Sequence, residues 1–347
     1  MALQGGRSFC RGCLVLLKGG EAFVTVQALK VKKERSMLWR EIRRNRVAYA
    51  YISPFFILFI IFGLFPIIAG LYISFFRWDG TGAMKWKGLD NYIRLFTDPT
   101  FLKAVANTFY IGIIAHIPIL GGGLVLAYLL NGSFVKGKNI FRTVFFLPMV
   151  TSAVAITIVF SSMFGFNFGV LNYFLSGLGI EKIDWLGGTG QYIRLSIIIM
   201  FAWKWIGWNM VIYLAGMQGI SNDIYEAATI DGARPSQVFF RITLPLLKPI
   251  ILFTLIQSTI GMMNLFTEPF ILTGAKGGIN NMGATVMMYL LDKAPKGNNL
   301  YGLASAVAYV ICMMVVAISL IFQKTLGSHE DIDKKTRRLG VGRGKRA

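Results

Sequence analysis

Hydrophobic and polar positions segregate along this chain in long blocks. Uncharged runs alternate with short charged segments, the pattern of a chain that crosses a bilayer repeatedly. A crossing needs about 20 mostly apolar residues, because a helix rises about 1.5 Å per residue and the hydrocarbon core is about 30 Å thick. Six runs meet that requirement. The first lies between Arg46 and Arg77 and holds Pro54 and Pro66; its excess length predicts a tilt or an interfacial start. The others cover about 104–131, 140–164, 192–217, 249–273 and 301–322.

An even number of spans places both termini on one side, and basic loops mark the inner side. With both termini inside, 25 of the 36 Lys and Arg flank the inner ends, 10 flank the outer ends, and Lys204 lies within a span. Five of the outer ten (Arg77, Lys85, Lys87, Arg94 and Lys103) fall between the first two spans, more than the rule favours.

Composition sharpens this picture. Of 347 residues, 55% are hydrophobic and 15% charged, where a soluble domain carries about 25% charge. The net charge of +20 raises the question of nucleic acid. The basic residues sit at membrane flanks without any recognition motif, so no nucleic-acid partner is expected. Cys10 and Cys13 form a lone CxxC, Cys312 lies in an apolar run, and His116 and His329 are isolated in sequence. Without a second ligand pair, neither a metal site nor a disulfide framework is expected. Residues 1–36 have no period and read as a disordered or untranslated extension, with translation expected to begin near Met37. Residues 37–46 form a basic flank, 47–324 a six-span domain, and 325–347 a basic tail.

The segment 221–245, between the fourth and fifth spans, carries the signals of two short helices. Ser221, Asn222 or Asp223 can cap the first, and Gly232 can close it in the left-handed conformation. Pro235 can open the second at its first position, and Pro245 is expected to stop it. Ala227 and Ala228 give the first helix a slim face that permits close approach of a partner.

The spacing here is specific. Glu226-Ala227-Ala228, three residues, Gly232, nine residues, Ile242, one residue, then Leu244-Pro245 resembles the EAA loop of ABC importer permeases at every fixed position. The flanking phrases Leu214-Ala215-Gly216-Met217-Gln218-Gly219-Ile220 and Asp231-Gly232-Ala233 are similar to the carbohydrate-uptake, maltose-type branch. So are Asn107-Thr108-Phe109, Phe146-Leu147-Pro148, Asp184-Trp185-Leu186 and Leu272-Thr273-Gly274. The resemblance covers about 47–324 and looks like the compact form common in multi-sugar importers. It implies an all-α membrane protein with six transmembrane helices of the ABC importer permease fold and a cytoplasmic coupling-helix hairpin. It implies residence in a bacterial cell membrane beside a second, homologous permease subunit. Two cytoplasmic ATPase subunits carrying ATP and magnesium, and an extracytoplasmic solute-binding protein, would complete the importer. Glu226 would be the polar contact to the ATPase and Ala227 and Ala228 the packing face. Gly232 would make the turn, with Asp231, Ala233 and Pro245 in the same loop.

The sequence has no GxxxxGK[ST] phosphate loop and no catalytic constellation, so ATP hydrolysis is expected of a partner chain and no cofactor of this one. Polar residues inside spans mark a pathway or glue helices together. In the fourth span, Trp205, Trp208, Asn209 and Ile212 or Tyr213 share a helical face. In the fifth, Gln257, Gly261, Asn264 and Glu268 are expected to share another, with Ser258 beside them. Aromatic faces with amides suit a sugar, so Asn209, Tyr213, Ser258, Asn264 and Glu268 are candidate pathway residues. The competing reading gives these groups to helix packing and pairs Lys204 with Glu268. A secondary transporter using Lys204 and Glu268 as a charge relay leaves the EAA loop unexplained. A non-sugar solute such as glycerol phosphate would favour arginine deep within the spans, and the two that fall inside these bounds, Arg142 and Arg194, sit at span ends and are counted as flanks.

Overall fold

The computed structural model describes residues 41, 43–132, 135–294 and 300–327. The expected start near Met37, the extension before it, Cys10, Cys13, His329 and the tail beyond 327 lie outside the described residues. The chain divides between Ala69 and Gly70 into two compact units.

The first helical run, α1 (Arg46–Ser74), is apolar throughout and crosses that division. None of Arg46–Phe59 is buried. Its prolines set its local geometry. Pro54 cannot donate to the carbonyl of Ala50, and the Ser53 hydroxyl takes up that oxygen at 2.9 Å. Ahead of Pro66 the helix widens into a π turn, Ile60–Leu64. The same device recurs at Pro118, inside the π turn Ile117–Gly122, and ahead of Pro245, after the π turn Phe239–Thr243. At Pro66 and Pro245 the wider turn ahead of the ring relieves its clash with the preceding turn.

In the second unit, a two-residue ladder pairs β1 (Phe76–Arg77) with β2 (Lys85–Trp86) and leads into α2 (Asp90–Thr97). Helix α3 (Pro99–Asn131) follows, capped by Asp98, whose carboxylate accepts from the Thr100 N–H at 2.8 Å. Then come α4 (Lys138–Val150), α5 (Ala153–Met163), α6 (Val170–Gly177) and α7 (Ile193–Gln218). After these come α8 (Asn222–Ile230), α9 (Pro235–Leu246), α10 (Lys248–Met263), α11 (Thr267–Thr273), α12 (Val286–Lys293) and α13 (Tyr301–Leu326).

Helix α7 is the axis of this unit. Its first half joins Ile111, Phe160, Trp185 and Leu272 in one apolar cluster, and its second half joins Ala127, Leu130 and Leu247 in another. A third cluster gathers α2, α12 and α13 around the start of α3 and the end of α10. Lipid tails are as apolar as leucine, so these helices hold together by close packing rather than by hydrophobic drive. Gly207 makes that possible: a Cβ there would overlap the carbonyl oxygen of Phe145 on α4.

Two expected spans are reshaped. The third does not run straight over 140–164; α4 and α5 meet at 97° across Thr151 and Ser152, both in extended backbone. Pro148 withdraws a donor just before the bend, and the Thr151 hydroxyl donates to the Leu147 carbonyl at 2.9 Å. The fifth does not continue to Thr273. Helix α10 ends at Met263, and α9 meets its start at 65° around Leu247. Among the described residues, four helices are thus long and apolar enough to cross a membrane, with two bent pairs besides.

Candidate functional site

The 221–246 hairpin follows its sequence closely at the first helix. The Ser221 hydroxyl caps α8, accepting from the Asp223 N–H at 3.3 Å. Gly232 takes φ +74°, which lets Ala233 donate to the Ala228 carbonyl at 2.9 Å and Gly232 to that of Thr229 at 3.0 Å. These two bonds close the C-terminus of α8 in a Schellman turn. Pro235 opens α9, and the Gln237 side chain accepts from the Arg234 N–H at 2.8 Å. The Tyr225 and Thr243 hydroxyls, 3.3 Å apart, tie the two helices together.

This bracing leaves Glu226 and Ala227 exposed while Ala228 packs inward. Asp223, Ile224, Ala227, Ala228, Asp231, Ala233 and Ile242 line a shallow depression of about 450 Å³. Pro245 does not stop the second helix. It sits near the start of the last turn of α9, and the chain bends only after Leu246. The preceding π turn absorbs the proline, so the stop moves two residues on.

The candidate pathway residues divide differently from the sequence expectation. Asn209 and Tyr213 are 2% and 1% exposed. The Tyr213 hydroxyl lies 2.7 Å from that of Thr254, joining α7 to α10. Asn209 donates to the Trp205 carbonyl at 3.1 Å, while the buried Trp205 Nε1 has no partner among the described residues. Ser258 meets the ring of His116: its hydroxyl is 2.7 Å from Nε2, and Nδ1 is 2.6 Å from the Gly112 carbonyl. That carbonyl can only accept, so Nδ1 carries a proton, and the Ser258 hydroxyl lies within reach of both Nε2 and the Leu255 carbonyl, the latter at 3.2 Å.

Glu268 is not on the helix that carries Gln257, Gly261 and Asn264. The chain leaves the helix at Asn264, and Glu268 lies in the first turn of α11. Nor is it uncompensated. Lys204 Nζ donates to its Oε1 at 2.7 Å, with side chains only 11% and 9% exposed. The pairing of these two residues, weighed in the sequence as the competing reading, is therefore present. Asn264 is exposed and donates to the Ile260 carbonyl at 2.8 Å; Phe253, Gln257 and Ile260 are exposed with it.

Sequence reasoning treated His116 as isolated, whereas it bridges α3 and α10. The signal available was its position in an apolar span, where an imidazole needs partners. It also missed the roles of Asn107 and Thr108. Asn107 donates to the carbonyls of Asn281 at 2.7 Å and Ala284 at 3.0 Å, and Thr108 accepts from the Val286 N–H at 2.9 Å. Together they pin the connection before α12 to α3. Nearby, the Tyr289 hydroxyl donates to Asp98 at 2.7 Å. Burial raises the Asp98 pKa, but the Tyr289 hydroxyl and the Thr100 N–H outweigh it and hold the carboxyl below its ordinary value. Burial, then the Asp98 hydrogen bond, push the Tyr289 phenol upward.

The long apolar helices and bent pairs are those of a multi-helix membrane protein. The family described as "Binding-protein-dependent transport system inner membrane component" matches residues 119–326. The chain is 39% identical over 277 residues to the lactose transport system permease protein LacF of Rhizobium radiobacter, covering 79% of this chain and 91% of that one. It is 34% identical over 295 residues to the arabinooligosaccharides transport system permease protein AraP of Bacillus subtilis, covering 84% and 92%. A solved bacterial ABC transporter involved in the import of the acidic polysaccharide alginate matches with a TM-score of 0.72 and 25% identity, over 84% of this chain and 99% of that chain. The chain belongs to the family of binding-protein-dependent transport system inner membrane components. It is a permease subunit of an ABC importer, not an enzyme.

Proposed function

We propose that this subunit forms half of the translocation pathway for a sugar or oligosaccharide, beside a second, homologous permease subunit. The observation that carries the substrate class is the extended likeness to permeases named for lactose and arabinooligosaccharides. In this reading the four long helices and the two bent pairs make six spans. Both termini and the 221–246 hairpin lie on the cytoplasmic side, as the basic flanks favour. The hairpin is the coupling element. Glu226 and Ala227 meet a cytoplasmic ATPase that holds ATP and magnesium, and Asp231, Gly232, Ala233 and Pro245 shape the turn and its exit.

The pathway runs along the exposed face of α10, where Asn264 reaches it directly. Asn209, Tyr213, Ser258 and Glu268 border it from the interior and act by fixing α7, α10 and α11 in place. The test is ATP-dependent uptake by the reassembled importer in proteoliposomes, assayed with labelled lactose, maltose, trehalose and arabino-oligosaccharides. Uptake of at least one of them, requiring ATP and the solute-binding protein, is expected. Uptake by this chain alone under a proton gradient would contradict the reading.

A further inference from the structure

The outer connection between the first two spans carries a cost that the fold does not recover. Basic residues on the outer side oppose the charge bias that orients a membrane protein, yet Arg77, Lys85, Lys87, Arg94 and Lys103 all lie there in the proposed topology. The ladder adds a second cost. Arg77 pairs directly with Lys85 across β1 and β2, and like charges at facing positions destabilise a hairpin. Lys87 extends the same strand, its N–H donating to the Phe75 carbonyl at 2.9 Å, so Lys85 and Lys87 lie on one face with Arg77.

The acidic residues nearby do not neutralise this face. The Asp79 carboxylate is turned onto its own loop, accepting from Thr81 N–H at 3.2 Å and Gly82 N–H at 3.0 Å. Asp98 is engaged by Thr100 and Tyr289. Asp90 lies with Arg77, Lys87 and Arg94 around a narrow cleft of about 70 Å³ but pairs with none of them. Among the described residues, Arg77, Lys85, Lys87 and Arg94 make no ion pair and no side-chain hydrogen bond, and all four are exposed.

The surface is nonetheless rigid. Buried Asn91 donates to the carbonyls of Ser74 and Phe76 at 2.8 and 2.9 Å. Trp86 packs on Phe75 and Phe76, and Trp78 on Tyr301. A fixed, unpaired basic platform retained against two opposing costs is an interaction surface.

We infer that this platform docks the soluble solute-binding protein through an acidic patch on that protein. The inference rests on the proposed topology, which turns the platform toward the side where that protein arrives. The family is defined by dependence on such a partner, and complementary exposed charge chiefly speeds encounter and fixes register. Such contacts weaken as salt shortens the screening length.

The test uses the complete importer in phosphatidylcholine nanodiscs flowed over its immobilised solute-binding protein. Replacing Arg77, Lys87 and Arg94 together by glutamine is expected to weaken Kd about tenfold near 50 mM salt and about twofold or less near 500 mM, with basal ATP hydrolysis unchanged. The Arg77→Lys/Arg94→Lys variant, which keeps the charge, should bind like the parent. If the triple variant fails to assemble, Lys87→Gln alone should weaken low-salt binding about twofold. Equal Kd and equal salt dependence in parent and variants would overturn the proposal. So would unchanged Kd with loss of a stabilisation conferred by phosphatidylglycerol, which would make the platform a lipid site. Failure of the parent itself to bind at any salt would instead overturn the topology on which the proposal rests.

Discussion

The ion pair between Lys204 and Glu268 is the most consequential polar contact inside the helical bundle, and its energetics can be worked through. The charges meet at 2.7 Å with side chains about a tenth exposed, so water screens them little. Removing one partner leaves the other charge buried and alone, which costs about 3–5 kcal/mol, whereas replacing both by apolar or neutral groups of similar volume is close to neutral. At roughly 2–4 °C per kcal/mol for a chain of this size, either Lys204→Met or Glu268→Gln alone should lower the melting temperature of the importer by ~6–20 °C. The double variant should return to within about 3 °C of the parent. The assay is thermal unfolding of the purified complex in nanodiscs, with transport measured on the same variants. If the pair positions α11 against α7, the double variant regains transport as well as stability. Parent-like melting of both single variants would refute the energetic reasoning. Restored stability without restored transport would show that Glu268 touches the solute.

Three further outcomes follow from single contacts. Tyr213→Phe should destabilise the complex by about 1 kcal/mol and Thr254→Val by somewhat more, since the Thr254 hydroxyl also donates to the Ile251 carbonyl at 3.0 Å, and the double variant should match Thr254→Val because the bond between the two hydroxyls is lost only once; additive losses in a double-mutant cycle would show that the two hydroxyls are not partners. The folded-state pKa of Asp98 is depressed, so its contribution is present above the unfolded value near 3.8 and is lost as pH falls through the lower folded value. Tyr289→Phe should therefore make acid-induced loosening of the α12 end begin at a higher pH, read by hydrogen exchange, and an unchanged acid limb would remove this contact from the account. For topology, cysteines placed at Gly188 or Gly278 should be labelled from outside intact cells and one at Ser236 should not; labelling at Ser236 would reverse the proposed sidedness.

Much of this architecture is legible in the sequence, because the membrane makes apolar length a strong signal. The α8 turn is legible too: Ser221, Gly232 and Pro235 act through local backbone chemistry that depends on no distant residue. What sequence could not supply was tertiary. Reading Asn264 and Glu268 as one face assumed an unbroken helix, and the chain leaves that helix at Asn264. Pro148 gave a visible warning of the bend at Thr151–Ser152, but not its 97° angle. Pro245 was misread as a stop because a π turn can absorb a proline that an α turn cannot. Ser258 gave no sign of its partner His116, which lies 142 residues away in sequence.

The central claim is that the 221–246 hairpin transmits ATPase motion to the spans, and Gly232 offers the most direct access to it. Its φ of +74° is closed to most side chains, yet a Cβ there would meet nothing within 4 Å. Gly232→Leu therefore carries a backbone cost of about 1–2 kcal/mol without a clash inside the subunit, and it places bulk beside the exposed Glu226 and Ala227 surface. The variant should insert and accumulate, since insertion depends on the spans. The measurement is co-purification with the ATPase subunits, followed by ATP hydrolysis with the solute-binding protein and its sugar present. The account predicts loss of association or of stimulated hydrolysis, larger than for Glu226→Ala. Normal association with full stimulation in Gly232→Leu would contradict it.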